Sequence, residues 1–303
     1  MKNVLMIINP RAGKNSKRLN TGEIVKAFRA RDIECFEKTT TCCGDAIEIA
    51  KKYSSAYDAI VCCGGDGTYN EVVNGMMQTD VRPPIIYLPY GSTNDFANTM
   101  GITKDPEKAA QMYVDNMINE FDVGKFNDRY FGYIASFGVA TEISYETPQN
   151  IKNLFGHAAY LINGFVFRLI PMLANLKPAH LIIEHDGETI EDDFYFGAVA
   201  NTNEISGIFK LDKCNIKMND GLFEVLLVRG VKASTAPAVF NKLLRQDYTG
   251  DKIMLFKTNK LKITATEEVP WTLDGEYGGA YTDMDIEVQH KAIRVVSPDC
   301  KYI

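Results

Sequence analysis

The feature that most constrains the fold is a run of five apolar residues, Ala59–Cys63, that ends directly on a cluster of glycines around Asp66. Apolar residues then recur at helical spacing from Val72 to Met77. A strand that enters a helix through glycines leaves backbone N–H groups bare at the helix N-terminus, and such a site binds anions, phosphate above all. The stretch "AIVCCGGDGTYNEVVNG" therefore predicts a phosphate site at the carboxyl end of a parallel strand.

A second stretch, "LPYGSTNDFAN", repeats this pattern from Leu88 to Asn98. A strand is followed by Gly91, by small hydroxyl residues and by Asn94-Asp95, where we expect a helix to begin. Two such loops on neighbouring strands would face one crevice. The alternative is that the glycines form only a tight turn and that Asn94 is only a helix cap.

Three short segments indicate the class of the first domain. The segments "NVLMII" (Asn3–Ile8), "AIVCC" and "PIIYLP" (Pro84–Pro89) are apolar on both faces, as are strands of a parallel sheet covered by helices. Each precedes a loop and a periodic segment. The pattern predicts a doubly wound, parallel α/β domain.

The second half of the chain reads as consecutive strands, which predicts an antiparallel β-sandwich. Asp186-Gly187 marks a hairpin turn, and further hairpins are expected within "KIMLFKTNKLKITATEE" and "MDIEVQHKAIRVVS". We place the domain boundary near Asp122, so that 1–122 is the α/β domain and 123–290 the sandwich. A C-terminal tail, about 291–303, is expected to return to the first domain.

Composition excludes some functions and predicts a location. A chain of 303 residues suits two domains, and a net charge of -6 argues against a nucleic-acid partner. The N-terminus "MKNVLMIINPRAGK" has too few consecutive apolar residues for a signal peptide or a membrane span, so a cytoplasmic protein is expected.

The cysteines and histidines show no metal or redox spacing. The seven cysteines include two adjacent pairs, Cys42-Cys43 and Cys62-Cys63, which we interpret as small buried or half-buried residues in a reducing compartment. His157, His180, His185 and His290 are expected to be surface or packing residues.

The glycine loops fit neither common nucleotide motif, because Asn70 stands where a dinucleotide fingerprint needs glycine and no GxxxxGK[ST] is present. Six motifs instead resemble those of one family: "NPRAGK", "GGDGTYNEVVNG", "LPYGSTNDFA", "DVGKFNDRYFGYIASFGVATEISYET", "NDGLFEV" and "LDGEYGG". Together, and in this order, they resemble the bacterial diacylglycerol kinase family of lipid kinases. That family is related to sphingosine and ceramide kinases and, more distantly, to NAD kinases.

The resemblance implies ATP-dependent phosphorylation of a lipid hydroxyl, in a cleft between the α/β domain and the β-sandwich. Ser92 stands where the family usually has threonine, and Thr40 matches a threonine that follows the second strand. The residues that the resemblance places at the nucleotide are Asn9, Pro10, Thr40, Gly65, Asp66, Gly67, Thr68, Asn70, Glu71, Ser92, Asn94 and Asp95.

The resemblance also implies a magnesium ion and a base. Asp220 would bind Mg²⁺ with the backbone carbonyls of Lys217 and Leu222, and Asp122 would reach the ion through water. An alternative is that Asp220-Gly221 is only a turn. The base is carried over to Asp274-Gly275-Glu276, with Glu276 favoured and Asp66 as its rival. Phosphoryl transfer depends more on positioning and charge neutralisation than on a base.

Diacylglycerol is the expected acceptor, and other lipid alcohols such as phosphatidylglycerol or a sphingoid base stay open. The rival hypotheses are a NAD or sugar kinase and a non-catalytic lipid or nucleotide sensor. The enzyme would act at the inner face of the membrane by transient peripheral contact. The segment Thr147–Ile183, which contains no Asp or Glu and includes Arg168 and Lys177, is expected to be helical and is the candidate for this contact. The alternative is a packed helix pair that covers the sandwich. A homodimer also stays open.

Overall fold

The computed structural model describes residues 2–13, 19–138, 177–202, 204–205, 209–211, 216–231, 234–299 and 302. The chain forms two units. Unit 1 contains Met1–Tyr133, Lys217–Gly221 and Val288–Ile303, and unit 2 contains Ile134–Ile216 and Leu222–Glu287. Among the described residues, no helix has the length and apolar character needed to span a membrane. Most of the acid-free segment, including His157 and Arg168, lies outside the described residues. Its last residues, from Ala179 to Ile183, form part of a strand and not the expected helix.

A parallel sheet forms the centre of unit 1. Its strands are β1 (Lys2–Ile8), β2 (Ile33–Thr39), β3 (Ala59–Gly64) and β4 (Ile85–Pro89), in the order β2-β1-β3-β4. All residues of β3 and β4 are buried, as expected for strands that are apolar on both faces. The predicted doubly wound sheet is confirmed.

Five helices connect these strands or follow them: α1 (Thr21–Arg29), α2 (Asp45–Tyr53), α3 (Asp66–Met76), α4 (Asp95–Met100) and α5 (Pro106–Val114). Helix α1 begins at its cap Asn20, whose side chain accepts a hydrogen bond from the Glu23 N–H. Helix α5 begins where Asp105 accepts hydrogen bonds from two backbone N–H groups, with Pro106 in its first turn. Both helices pack apolar residues into the core on one side of the sheet.

The strand order creates a switch point between β1 and β3. The chain leaves β1 toward β2 on one side and then continues on the other side with β3. Loops at the carboxyl ends of two such strands diverge and leave a crevice, which is where ligands bind in open α/β sheets. Asn9 follows β1 and Gly65 follows β3, so two of the expected nucleotide residues stand at this point.

Unit 1 extends past the boundary expected near Asp122 as far as Tyr133. Strand β5 (Ile118–Phe126) forms a hairpin with β6 (Arg129–Phe131), and α3 holds this hairpin in unit 1. The Asn74 side chain accepts a hydrogen bond from the Tyr130 N–H and donates one to the Tyr130 carbonyl, each at 2.9 Å. The C-terminal segment from Val288 also belongs to unit 1, where Val295 pairs with β4.

Unit 2 is an antiparallel sheet. Its strands are β7 (Ile134–Gly138), β8 (Ala179–His185), β9 (Glu188–Ala200), β12 (Phe223–Arg229), β13 (Ile253–Thr258), β14 (Lys260–Leu273) and the first part of β15 (Glu276–Val296). Strands β7 and β8 both pair with β9 and β14. A short pair, β10 (Glu204–Ile205) and β11 (Phe209–Lys210), and helix α6 (Ala236–Leu244) are the other described elements of unit 2.

Two hairpins predicted for the second half of the chain are wrong. Within the described residues, β13 pairs with β12 and not with β14, whose partners are β7, β8 and β15. The segment Met284–Ser297 contains no turn between two strands, because β15 continues to Val296 with a local kink at Lys291, where φ is +49°. The hairpin at Asp186-Gly187 is confirmed, with φ values of +46° and +81° that suit a type I′ turn.

The cysteine interpretation holds for one pair only. Cys62 and Cys63 are fully buried in β3, and burial raises the pKa of both thiols. Cys42 and Cys43 are exposed, because they lie in the turn between β2 and α2 rather than in an element. None of the five described cysteines takes part in a disulfide.

We predict that Asn74→Ala loosens the β5–β6 hairpin. The substitution leaves the Tyr130 N–H without the side-chain acceptor that it has at 2.9 Å, and an unpaired, partly buried N–H costs about 1–3 kcal/mol. Hydrogen–deuterium exchange at Tyr130 should become faster, whereas Gln78→Ala, which removes an amide in the turn just after α3, should leave it unchanged. Unchanged exchange in Asn74→Ala would contradict the assignment.

Candidate active site

The loops that follow β1 and β3 are joined by a side chain. The Asn9 N–H donates to the Cys63 carbonyl at 2.9 Å, and Asn9 Nδ2 donates to Thr68 Oγ1, also at 2.9 Å. Asn9 Oδ1 in turn accepts a hydrogen bond from the Arg11 N–H at 2.9 Å. Asn9 therefore fixes the start of its own loop against the first turn of α3.

The loops that follow β3 and β4 touch through their glycines. A Cβ atom on Gly65 would lie 3.0 Å from Gly91 Cα, and one on Gly91 would lie 2.6 Å from Gly65 Cα. Gly13 has a φ of +74°, and a Cβ atom there would overlap the Tyr90 carbonyl oxygen. The three loops thus meet at one edge of the sheet. Only glycine leaves room for this approach at Gly65 and Gly91.

Asp66 occupies the first position of α3, directly after Gly65. Its carboxylate is half-buried and influences two buried neighbours. Burial raises the pKa of the Tyr87 phenol, and the negative charge of Asp66 adds to that shift. Burial likewise raises the pKa of the Cys62 thiol, with a smaller contribution from Asp66. Both groups are therefore neutral at neutral pH.

A cluster of stacked, buried aromatic rings lies beneath the loops that follow β3 and β4. The Tyr69 ring stacks on Tyr87 with a centroid distance of 4.9 Å and on Phe96 with a centroid distance of 4.6 Å. All three side chains are buried, and they connect α3, β4 and α4. Stacked rings of this kind add to the hydrophobic contribution of their burial. The cluster therefore fixes the N-terminus of α3 relative to that of α4.

Asn94 is a brace and not a side-chain helix cap. It has a φ of +53° and is buried. Its Nδ2 donates to the Gly91 carbonyl at 2.9 Å, and its Oδ1 accepts from the Tyr87 hydroxyl at 3.4 Å. The amide side chain therefore holds the Gly91 loop closed. Ser92 is exposed on this loop, and Asp95 is half-buried in the first turn of α4.

Thr40 lies at the end of β2, beside the end of β1. Its N–H donates to the Ile8 carbonyl at 2.8 Å, and its hydroxyl approaches the same carbonyl at 3.3 Å. Pro10, the other expected residue on this side, is exposed in the loop after β1. Thr40 and Pro10 thus belong to the same edge of the sheet as Gly65.

Asn70 and Glu71 bind the protein's own backbone. Both lie one turn into α3, about 6 Å along the axis from Asp66. Glu71 accepts hydrogen bonds from the Gly44 N–H at 2.9 Å and the Ala46 N–H at 3.1 Å, so it caps α2. Asn70 Nδ2 donates to the Tyr130 carbonyl at 3.2 Å. The nucleotide contact expected for these two residues stays a prediction.

The residues expected at the metal divide into a buried and an exposed set. Asp122 is fully buried, and its carboxylate accepts hydrogen bonds from the Gly221 N–H, the Lys291 N–H and the His290 ring. Asp220 and Lys217 are exposed in unit 1, whereas Leu222 belongs to unit 2. In the part of the chain that the structure describes, no group of three His, Cys, Asp or Glu side chains forms a metal site.

The expected base lies in a tight hairpin of unit 2. Asp274 and Gly275 have φ values of +50° and +83°, as in a type I′ turn between β14 and β15. Asp274 is buried, and its Oδ1 accepts a hydrogen bond from the Ile134 N–H at 3.1 Å. Glu276 is exposed at the start of β15. Asp274 therefore holds the turn, and Glu276 is the accessible carboxylate of the pair.

Sequence reasoning missed three residues that organise the site. Gly13 was not assigned a role, although only glycine lets the loop after β1 come so close to the Tyr90 carbonyl. Asn74 carried a signal, because it follows Asn70 by one helical turn and the pair binds the same hairpin. His290 is exposed, as expected for a surface residue, but its bond to the buried Asp122 was not foreseen. The histidine carries no local signal, since its partner is 168 residues away in the sequence.

Comparisons with known proteins agree along the whole chain. Residues 3–126 match the family model of the diacylglycerol kinase catalytic domain, and residues 135–297 match that of the YegS C-terminal NAD kinase beta sandwich-like domain. A diacylglycerol kinase of Bacillus subtilis (strain 168) is 33% identical over 301 residues, which cover 98% of this chain and 97% of that protein. A diacylglycerol kinase of Staphylococcus aureus (strain MRSA252) is 31% identical over 92% of this chain and 87% of its own.

Solved structures show the same fold. One from Bacillus anthracis str. Sterne has a TM-score of 0.77 at 25% identity and covers 98% of this chain and 97% of its own. A second from the same strain, described as a diacylglycerol kinase, has a TM-score of 0.71 at 22% identity and covers 100% and 98%. The predicted fold class, an α/β domain followed by a β-rich domain, is confirmed.

We predict that Gly91→Ala disrupts the junction of the loops. The added methyl group would lie 2.6 Å from Gly65 Cα, so the two backbones must separate. ATP binding, measured by calorimetry, should weaken by at least about tenfold, which corresponds to ~1.4 kcal/mol. Gly22→Ala is the control, because its methyl group would approach only Asn20 Oδ1, at 3.3 Å. Equal affinity in both variants would contradict a nucleotide site at this junction.

Proposed function

The chain belongs to the diacylglycerol kinase family and is a kinase of a lipid alcohol, and from this premise we propose that it transfers the γ-phosphate of ATP to diacylglycerol. The product would be phosphatidic acid. The observation that carries the proposal is the junction of Gly65 and Gly91, which brings two glycine-rich loops and two helix N-termini to one sheet edge. Backbone N–H groups in this arrangement suit the phosphates of a nucleotide.

The charge of the site supports phosphoryl transfer rather than simple anion capture. Asp66 stands at the N-terminus of α3, where a bound phosphate would also lie. A carboxylate beside a polyphosphate repels it unless a cation or a transferable proton lies between them. Asp66 therefore suits a site that handles a metal–nucleotide complex or a proton, and both are parts of a kinase reaction.

The residues present fit a magnesium ion. Asp220 and the carbonyls of Lys217 and Leu222 would hold it, and Asp122 would reach it through water; these are oxygen donors of the kind that Mg²⁺ prefers. The bond from the Gly221 N–H to Asp122, at 2.7 Å, fixes the turn that carries Asp220. Bound there, the ion would neutralise charge that develops on phosphate oxygens.

Two carboxylates compete for the role of base. We propose that Glu276 accepts the proton of the lipid hydroxyl, because it is exposed whereas Asp274 is buried and bound to Ile134. Asp66 is the rival. A base contributes typically about 10²- to 10⁴-fold to a rate, and the positioning of phosphates is at least as important in this chemistry.

The membrane contact is a further part of the proposal. The lipid acceptor has a polar head and apolar tails, so the enzyme must meet a membrane surface to reach it. Residues Thr147–Ile183 combine large apolar side chains with Arg168 and Lys177 and lack acidic residues, which suits an anionic lipid surface. Lys177 is exposed, whereas Arg168 lies outside the described residues.

The activity is tested with labelled ATP, Mg²⁺ and a panel that contains dispersed diacylglycerol, phosphatidylglycerol, a sphingoid base and NAD. We expect a single labelled product, phosphatidic acid. Asp66→Ala should lower kcat/KM by at least the ~10²- to 10⁴-fold that Glu276→Gln costs. Asp186→Asn, in an exposed turn that asparagine also suits, should keep full activity. Label in NAD alone would select the NAD kinase alternative, and ATP binding without any product would select a sensor.

Vesicle binding tests the proposed membrane contact. The double variant Arg168→Glu/Lys177→Glu should sediment less with anionic vesicles. Each basic side chain is attracted to anionic lipid by ~1 kcal/mol, and a glutamate in its place is repelled. Lys51→Glu/Lys52→Glu, on exposed positions of α2, makes the same change in net charge and should sediment like the unmodified chain. Equal sedimentation of both double variants would exclude the segment as the contact.

A further inference from the structure

A single buried carboxylate organises the part of unit 1 that carries Asp220. Asp122 is 0% exposed in β5. Its Oδ2 accepts a hydrogen bond from the Gly221 N–H at 2.7 Å, and its Oδ1 accepts from the Lys291 N–H at 2.7 Å and from His290 Nδ1 at 2.9 Å. A buried charge is tolerated only with such donors, so each of them matters to its position.

The three donors come from the two segments by which the chain passes between its units. Gly221 is the last residue of the short unit 1 segment before Leu222 of unit 2. His290 and Lys291 follow closely on Val288, where the chain re-enters unit 1. Asp122 also donates its own N–H to the Met218 carbonyl at 2.8 Å. The carboxylate and its backbone thus hold both ends of the turn that contains Asp220.

The two residues that donate backbone N–H groups to the Asp122 carboxylate both have a positive φ. Lys291 has a φ of +49°, a conformation that residues other than glycine rarely adopt, and this kink turns its N–H toward Asp122. Gly221 has a φ of +79°, and a Cβ atom there would lie 3.2 Å from the His290 ring. Backbone held in this way persists only where the surroundings determine it strongly. Here the determining group is Asp122.

His290 differs from the other two donors because it is a side chain. An ionised carboxylate only accepts hydrogen bonds, so Nδ1 of His290 carries the hydrogen. The side chain is 52% exposed, so its removal costs little apolar burial but takes one donor from a fully buried charge. A residue of this kind acts through its hydrogen bond rather than through packing.

Resting on the proposed function, we propose that His290 is a positioning residue for the metal. It holds the Asp122 carboxylate, and through Asp122 it holds the Lys217–Gly221 turn in the conformation in which Asp220 binds the cation. Groups that orient metal ligands without touching the metal typically contribute ~10- to 100-fold to metal affinity. His290 is bound directly to Asp122, which is expected to reach the ion through water, and it acts on Asp220 through Asp122 and Gly221.

The experiment measures Mn²⁺ binding to the nucleotide-free full chain by electron paramagnetic resonance of the free ion. His290→Ala should weaken Mn²⁺ binding by about 10- to 100-fold. His290→Asn should retain affinity close to that of the unmodified chain, since its Nδ2 is attached at the same carbon as Nδ1 of histidine. His180→Ala is the control, because this exposed histidine binds Asp193 in unit 2. It should not change Mn²⁺ binding.

Enzyme kinetics supply a second readout. In His290→Ala the Mg²⁺ concentration for half-maximal activity should rise by the same factor, whereas the KM for ATP at saturating Mg²⁺ should stay unchanged. Thermal unfolding identifies folded variants, and His290→Leu, which keeps bulk without a donor, replaces the alanine variant if that one does not fold.

The outcomes separate the inference from the function on which it rests. Mn²⁺ binding in His290→Ala equal to that of the unmodified chain would overturn the inference alone. Binding by His290→Asn as weak as that of His290→Ala would also overturn it, because the hydrogen bond would then not be the cause. If the unmodified chain binds no Mn²⁺, the inference and the proposed metal site fail together, and lipid phosphorylation in the panel above decides whether the kinase assignment survives.

Discussion

The contact between the backbones of Gly65 and Gly91 is the constraint on which the candidate site depends. Parallel strands β3 and β4 end side by side, and their loops approach so closely that no side chain fits between them. Asn9 extends the junction to the loop after β1 through its bond to Thr68. Because the sheet order changes direction at β1, these loops stand where an α/β sheet offers its ligand crevice. Bare N–H groups and helix N-termini then make the crevice suited to phosphate.

Side-chain hydrogen bonds hold the segments that surround this junction. Asn94, Glu71 and Asn74 each use side-chain polar atoms to hold a backbone segment: the Gly91 loop, the start of α2 and the β5–β6 hairpin. The stacked rings of Tyr69, Tyr87 and Phe96 lie beneath them. Catalysis of phosphoryl transfer consists mainly of positioning and charge stabilisation, so a rigid support is what such a site requires.

Local patterns in the sequence were sufficient for part of this structure. The strands β1, β3 and β4 and the start of α3 were predictable, because apolar runs and glycine clusters report on local conformation. The pairing of β13 with β12 was not, since strand partners are chosen by long-range packing rather than by the nearest turn. Glu71 and Gly44 are 27 residues apart, and no local sequence pattern predicts a helix cap between residues so far apart. The bond between Asp122 and His290 joins residues 168 apart, and it became visible only in the folded chain.

A crystal structure of the chain with a non-hydrolysable ATP analogue and Mg²⁺ tests the candidate site most directly. We expect the phosphates to lie against the backbone N–H groups of the Gly65 and Gly91 loops, with the first turn of α3 pointing at them. A nucleotide bound at any other part of the chain, with the two glycine loops empty, would contradict this expectation.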